Sequence, residues 1–209
     1  GENDNVLIYY AGHGELDKVS GYWVPIEAKQ DKKGAYISNS TIRDYISAMK
    51  AKHVYLVADS CFSGSLFAGA TRSKPPTVTG RYFQEVYNRI SRQGLTSGGT
   101  EPVSDEGYDG HSIFAYYLVK TLRENTDPFL TANSLFDRIA VPIANNSKQT
   151  PVNRPIRDVR DEGGEFIFAL AGAGVSFETA EGAATSQSLN TNMVISSLEK
   201  EVPIRTFVM

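Results

Sequence analysis

Two short segments of the chain each place a chemically reactive side chain among small residues. Residues 9–14 carry His13 between two glycines, and residues 58–64 carry Cys61 three residues before Gly64. A thiolate attacks carbonyl groups, and an imidazole transfers protons near neutral pH. A histidine and a cysteine brought together therefore predict nucleophilic catalysis of acyl transfer.

Each reactive residue follows an apolar run that is typical of a buried strand. The runs cover residues 4–10 and 52–58 and are rich in β-branched and aromatic side chains. Between them, Ser40 or Thr41 is the predicted N-cap of a helix that extends to Met49. Because strand, helix and strand form a crossover unit, we expect the two strands to be parallel. Their carboxyl ends then share one sheet edge, where active sites of open α/β sheets collect.

The rest of the chain predicts more elements of one α/β domain. They are a short strand at 22–25, a helix at 81–90, a short strand from Gln93 into a glycine-rich loop, helices capped by Ser112 and Thr131, and a last strand at 165–170. From about Gly172 the composition shifts to small and polar residues, so residues 172–209 are interpreted as a tail or linker.

Charge and composition exclude several classes of partner. The 21 basic and 24 acidic residues give a formal charge of −3, which favours neither nucleic acid nor a polybasic membrane surface. No apolar run reaches the ~18 residues of a membrane span, and no signal-peptide pattern is present, so we expect a cytoplasmic protein. The single cysteine excludes an intramolecular disulfide, and with three histidines a zinc cluster is not expected.

The two motifs resemble those of the caspase-like cysteine peptidases, especially the bacterial caspase-like and metacaspase branch. The matching segments are 10–14 and 59–64, and Cys61 follows His13 by 48 residues, a spacing and order typical of caspases. Weaker matches to the small-subunit half of that fold are residues 95–99, 110–115 and 163–168. The resemblance covers roughly residues 4–170.

The resemblance implies a mostly parallel sheet flanked by helices. It places a caspase-like peptidase domain at 1–171, with a large-subunit-like part at 1–70 and a small-subunit-like part at 93–171. In the family, a strand and a helix precede the histidine strand, whereas this chain opens four residues before that strand. We therefore expect the domain to be incomplete at its N-terminus.

Four residues acquire roles from the motifs and the resemblance. Cys61 is the expected nucleophile, and His13 is the expected general base and acid. Gly14 resembles the family glycine whose backbone N–H forms an oxyanion hole with that of Cys61. Asp59 matches an aspartate that lines the pocket for the residue before the cleaved bond, where a carboxylate favours Arg or Lys.

Each role has a plainer alternative. Cys61 could be a structural core residue, His13 a turn histidine, and Gly14 only a requirement of a tight turn. Asp59 could be a loop aspartate that bonds its own backbone. His53 is interpreted as structural.

His111, like His53, is interpreted as structural. Two other charged segments each leave two interpretations open. Asp105, Glu106 and Asp109 form an acidic loop that is either solvated or calcium-binding. The basic residues between 72 and 92 are either a solvated surface, which we prefer, or mark a self-processing site at 71–75.

The sequence thus predicts a cysteine endopeptidase that forms a thioester acyl-enzyme and cleaves protein or peptide substrates after Arg or Lys. No organic cofactor and no resident metal are expected, while calcium activation stays open. Two alternatives remain: a catalytically silent caspase-fold interaction module, and a peptide ligase or transpeptidase.

Overall fold

The computed structural model of the chain describes residues 1–18, 20–29, 33–60, 66–67, 80–98 and 107–170. Several predictions fall outside these ranges. They concern Cys61, the acidic residues Asp105 and Glu106, the segment 71–75 and the segment 172–209.

The described residues form nine strands and four α-helices. The strands are β1 (Asn5–Ala11), β2 (His13–Asp17), β3 (Ser20–Val24), β4 (Ile37–Ser38), β5 (His53–Asp59), β6 (Ser91–Thr96), β7 (Phe129–Thr131), β8 (Val152–Pro155) and β9 (Ile167–Ala169). The helices are α1 (Asn39–Ala48), α2 (Gly80–Asn88), α3 (Ile113–Arg123) and α4 (Ala132–Asn146). Within the described ranges, no helix is long and apolar enough to cross a membrane.

The central sheet has four strands in the order β1-β5-β6-β8. β1, β5 and β6 are parallel, and β8 runs antiparallel to β6. The prediction of a mostly parallel α/β sheet is confirmed, and β1, which leads to the histidine, lies directly beside β5, which leads to the cysteine. β2, β3 and β4 form a separate antiparallel sheet, and β7 pairs with β9 in another.

Side chains of β5 alternate between two apolar cores because successive residues of a strand point to opposite faces. Tyr55 and Val57 pack in a core that includes Leu118 of α3 and Ile139 of α4. Val54, Leu56 and Ala58 pack on the other face, in a core that includes Ile46 of α1 and Trp23 of β3. Since every residue of β5 is buried, this strand is the centre of the domain.

The N-cap predicted at Ser40 or Thr41 is instead Ser38. Its extended backbone lets the side-chain oxygen accept from the Thr41 N–H at 3.1 Å, so the helix begins earlier. The last strand is shorter than the predicted 165–170 and pairs with β7, outside the central sheet. β8 was not predicted, because a segment with two prolines and polar residues resembles a loop.

Arg92 was wrongly grouped with the solvated basic residues. Only 4% of Arg92 is exposed. Its guanidinium donates to backbone carbonyl oxygens at the connection between α1 and β5, namely those of Met49, Ala51 and Lys52, and to that of Ser91. Arg92 therefore supplies hydrogen-bond donors to four backbone carbonyl groups at this buried connection.

Candidate active site

The parallel strands β1, β5 and β6 all end at one edge of the central sheet. Ala11 pairs with Asp59, and Ala58 pairs with Thr96. The Ser97 N–H also donates to the carbonyl oxygen of Ala58 at 3.1 Å, which extends the pairing past β6. The residues that follow these three strands are therefore neighbours.

A tight turn at Gly12 follows β1. The Gly12 N–H donates to the carbonyl oxygen of Asp59 at 3.2 Å, which holds the turn against the end of β5. A Cβ atom at this position would lie only 2.8 Å from the Tyr10 hydroxyl oxygen. A side chain at this position would therefore force Tyr10 to shift, between the strand and the candidate catalytic histidine.

His13 is the first residue of β2, a strand that the sequence analysis did not predict. In the β2–β3 hairpin, His13 pairs with Val24, and Gly14 pairs with Trp23. The His13 side chain is exposed, whereas Gly14 is half-buried. The hairpin thus fixes the backbone and presents the imidazole at the surface.

Tyr10 secures this hairpin to β1. Its ring stacks on that of Trp23, with centroids 4.1 Å apart and planes 8° from parallel. Its hydroxyl donates to the carbonyl oxygen of His13 at 2.9 Å and lies 3.4 Å from that of Val24. Both carbonyls belong to one cross-strand pair, so Tyr10 clamps the position from which the imidazole extends.

Asp59 is the last residue of β5 and is 7% exposed. Strand alternation places its side chain on the same face as Tyr55 and Val57, the face that α3 covers. There its Oδ2 accepts a hydrogen bond from Oγ of Ser112, the N-cap of α3. This partner lies far away in sequence, 53 residues beyond Asp59.

The negative charge of Asp59 also affects a neighbouring tyrosine. Burial and, to a smaller extent, the Asp59 carboxylate raise the pKa of Tyr9 to about 12. The phenol therefore stays protonated and neutral at physiological pH. The neutral Tyr9 side chain and the buried Asp59 carboxylate therefore lie near each other at this edge of the central sheet.

Cys61 lies outside the described residues, so its pairing with His13 stays a prediction. Ser60, which directly precedes it, is 1% exposed and continues from the buried end of β5. The chain therefore enters the cysteine segment from the same edge that carries the histidine hairpin.

The other two histidines lie in different surroundings. His53 starts β5, at the opposite end from Asp59, and is fully buried. Its Nε2 lies 2.9 Å from the carbonyl oxygen of Tyr87 and 3.1 Å from that of Arg89, to which a protonated nitrogen donates. Burial first, and the Lys52 charge second, lower the pKa of His53 to about 4. His111 is exposed and adjoins Ser112.

Across the described parts of the chain, no group of three or more His, Cys, Asp or Glu side chains could hold a metal ion. Of the acidic loop, only Asp109 falls within these parts, in a turn with φ of 53°.

Ser112 and Tyr10 contact the candidate site, although no sequence motif assigns them to it. Ser112 was predicted only as a helix cap, and Tyr10 only as part of a strand. Their site contacts depend on how the helix and the hairpin pack, which local sequence patterns do not encode. The one sequence signal for the Tyr10 contact was Gly12, because a residue without a Cβ atom leaves room for the Tyr10 side chain.

Comparison with known proteins agrees with this geometry. A family model, described as the caspase domain, matches residues 1–157. The match includes both motifs and the whole central sheet, from β1 to β8. A search of curated proteins found no match. Because the family model covers most of the chain, this chain belongs to the caspase domain family.

Proposed function

We propose that this protein is a cysteine endopeptidase in which Cys61 is the nucleophile and His13 the general base and acid. Membership of the caspase domain family supports the class of cysteine peptidase. The observation that carries the assignment is the pairing of Ala11 with Asp59, reinforced by the Gly12 to Asp59 hydrogen bond.

This pairing supports the dyad through simple distances. Adjacent strands lie about 4.8 Å apart. His13 is two residues beyond Ala11, and Cys61 is two residues beyond Asp59, so each lies within roughly 7 Å of the paired ends. These chain lengths limit the separation of the two Cα atoms to at most roughly 19 Å. The shared sheet edge therefore supports the proposal that the two side chains meet around one scissile bond.

The reaction follows from these two groups. The Cys61 thiolate attacks the carbonyl carbon of the scissile peptide bond and forms a tetrahedral oxyanion. The C–N bond breaks as the His13 imidazolium gives its proton to the leaving amine, which leaves a thioester. Water then attacks the thioester while His13 accepts one of its protons. The C–S bond breaks, which releases the carboxylic acid and restores the Cys61 thiolate and the His13 imidazolium. These steps balance without an organic cofactor.

Gly14 is the proposed oxyanion-hole residue, together with the backbone N–H of Cys61. A single donor of this kind contributes about 3–4 kcal/mol to transition-state stabilisation. Its position beside His13 in β2 supports the assignment.

We assign the preference for Arg or Lys to Asp59. Its carboxylate is nearly buried at the edge that also carries the histidine hairpin. Charges interact more strongly where water is excluded, so a buried carboxylate selects a cationic side chain more effectively than an exposed one. This basic specificity is the basis for placing the protein in the metacaspase-like branch.

Fluorogenic peptides that end in Arg, Lys or Asp test the proposal, with and without calcium. We expect wild type to cleave the Arg and Lys peptides, and Cys61→Ala and His13→Ala to lose this turnover. His111→Ala is the matched control, because His111 is also exposed and lies near Ser112.

Each other outcome selects an alternative. Cleavage only after Asp would retain the peptidase but refute the role of Asp59. Products that carry an added amine, identified by mass, would indicate a transpeptidase. If no peptide is cleaved, either with or without calcium, the interaction module would be favoured.

A further inference from the structure

The hydroxyl of Ser112 makes two hydrogen bonds whose directions are fixed. It accepts from the Ala115 N–H at 2.9 Å, which caps α3. A serine hydroxyl has one proton, and here that proton is donated to Oδ2 of Asp59. Because a backbone N–H can only donate, the cap leaves the hydroxyl proton available for the carboxylate.

Ser112 is itself held by a well-buried helix. Phe114 is fully buried, and Leu118 is 6% exposed in the core that α3 shares with β5. The helix N-terminus also carries a partial positive charge, which favours a carboxylate nearby. Ser112 therefore links Asp59 to a rigid element rather than to a loop.

We propose that Ser112 is a positioning residue for substrate specificity, which fixes the orientation of the Asp59 carboxylate towards an Arg or Lys side chain. This inference rests on the proposed function, in which Asp59 receives that side chain. Ser112 itself does not touch the reacting atoms.

The orientation matters more for arginine than for lysine. A guanidinium is planar and meets a carboxylate through two parallel hydrogen bonds, so its binding depends on the plane of the carboxylate. An ammonium acts as a point charge and tolerates rotation of its partner. Loss of the Ser112 hydroxyl should therefore weaken the Arg substrate more than the Lys substrate.

Ser112→Gly is the direct test, because glycine is almost as good an N-cap as serine but has no hydroxyl. Ser112→Thr keeps both hydrogen bonds and should restore the wild-type behaviour. Ser38→Gly is the matched control, since Ser38 caps α1 in the same way on the other face of the sheet.

We expect Ser112→Gly to raise KM for the Arg peptide about tenfold and to leave kcat within about twofold, as expected for a lost hydrogen bond to a charged group. The ratio of kcat/KM for Arg over Lys should fall several-fold. Ser112→Thr and Ser38→Gly should keep the wild-type ratio. If Ser112→Gly fails to fold, Ser112→Ala compared with Ser38→Ala gives the same contrast.

An unchanged Arg-to-Lys ratio in Ser112→Gly would overturn this inference and leave the proposed function intact. The same loss in Ser38→Gly would overturn it too, because the effect would then come from helix capping alone. If wild type cleaves neither basic peptide, the basic specificity itself fails, and the inference fails with it. The wild-type assay thus distinguishes failure of the proposed basic specificity from failure of the role of Ser112.

Discussion

The backbone N–H of Gly12 donates to the carbonyl oxygen of Asp59 across 3.2 Å. This bond joins the two motifs of the chain directly, because Gly12 precedes His13 and Asp59 lies two residues before Cys61. The turn after β1 and the end of β5 therefore form one structural unit.

Gly12→Ala should damage this unit. The new Cβ would lie 2.8 Å from the hydroxyl oxygen and 3.0 Å from Cζ of Tyr10, whose ring is held against Trp23. We expect kcat/KM to fall by at least about tenfold, since a displacement of ~1 Å can cost about a hundredfold in rate. Gly34→Ala is the control, because among the residues that the structure describes no atom beyond Gly34 and its chain neighbours lies within 4 Å of the added Cβ. Equal values of kcat/KM for Gly12→Ala and Gly34→Ala would contradict the expected clash with Tyr10.

Tyr10→Phe tests the clamp on His13. The variant keeps the stacked ring but loses the hydroxyl that binds the His13 carbonyl oxygen. We expect the free energy of unfolding to fall by about 1 kcal/mol and kcat to fall several-fold while KM stays constant. Tyr45→Phe, at a half-exposed position of α1, should change neither quantity. Adding Tyr10→Phe to Gly12→Ala should recover part of the lost activity, because it removes the nearest clashing atom.

Asp59→Asn separates charge from shape at the proposed specificity position. Because the amide is nearly isosteric but neutral, kcat/KM for Arg and Lys peptides should fall by about ten- to a hundredfold. The control is Asp109→Asn, since asparagine tolerates the positive φ found there. Steady-state kinetics of both variants with the Arg and Lys peptides measure these changes in kcat/KM. Retention of basic preference in Asp59→Asn would assign the specificity to another residue.

His53 should make stability depend on pH. Its pKa is lowered from 6.5 to about 4 in the folded protein, mainly by burial. Between these values the unfolded state binds a proton that the folded state does not, so stability rises with pH. The contribution of neutral His53 is complete above about pH 6.5 and decreases by roughly 3 kcal/mol as the pH falls to about 4.

Urea unfolding of wild type and His53→Gln between pH 4 and pH 7 measures this effect. Glutamine can donate to the Tyr87 carbonyl oxygen but does not titrate in this range. The difference in unfolding free energy between the two proteins should therefore shrink or reverse towards acid pH. A difference that is constant over the whole range would show that His53 is not the titrating group.

The sequence by itself determined the features that depend on neighbouring residues. Two continuous apolar runs predicted β1 and β5, and the segment between them predicted the crossover that makes them parallel. The motifs also indicated the family to which the chain belongs. Ser112 and Thr131 were recognisable as N-caps because a cap bonds the backbone only three residues ahead.

The tertiary structure alone decided the contacts between distant segments. Ser112 meets Asp59 only because α3 packs on the face of β5 to which Asp59 points. Arg92 is buried because the connection after α1 leaves carbonyl groups that its guanidinium reaches, and β8 pairs with β6 although the strand ends in a proline. Such contacts depend on how packed elements bring together residues that are remote in sequence, so no local pattern specifies them.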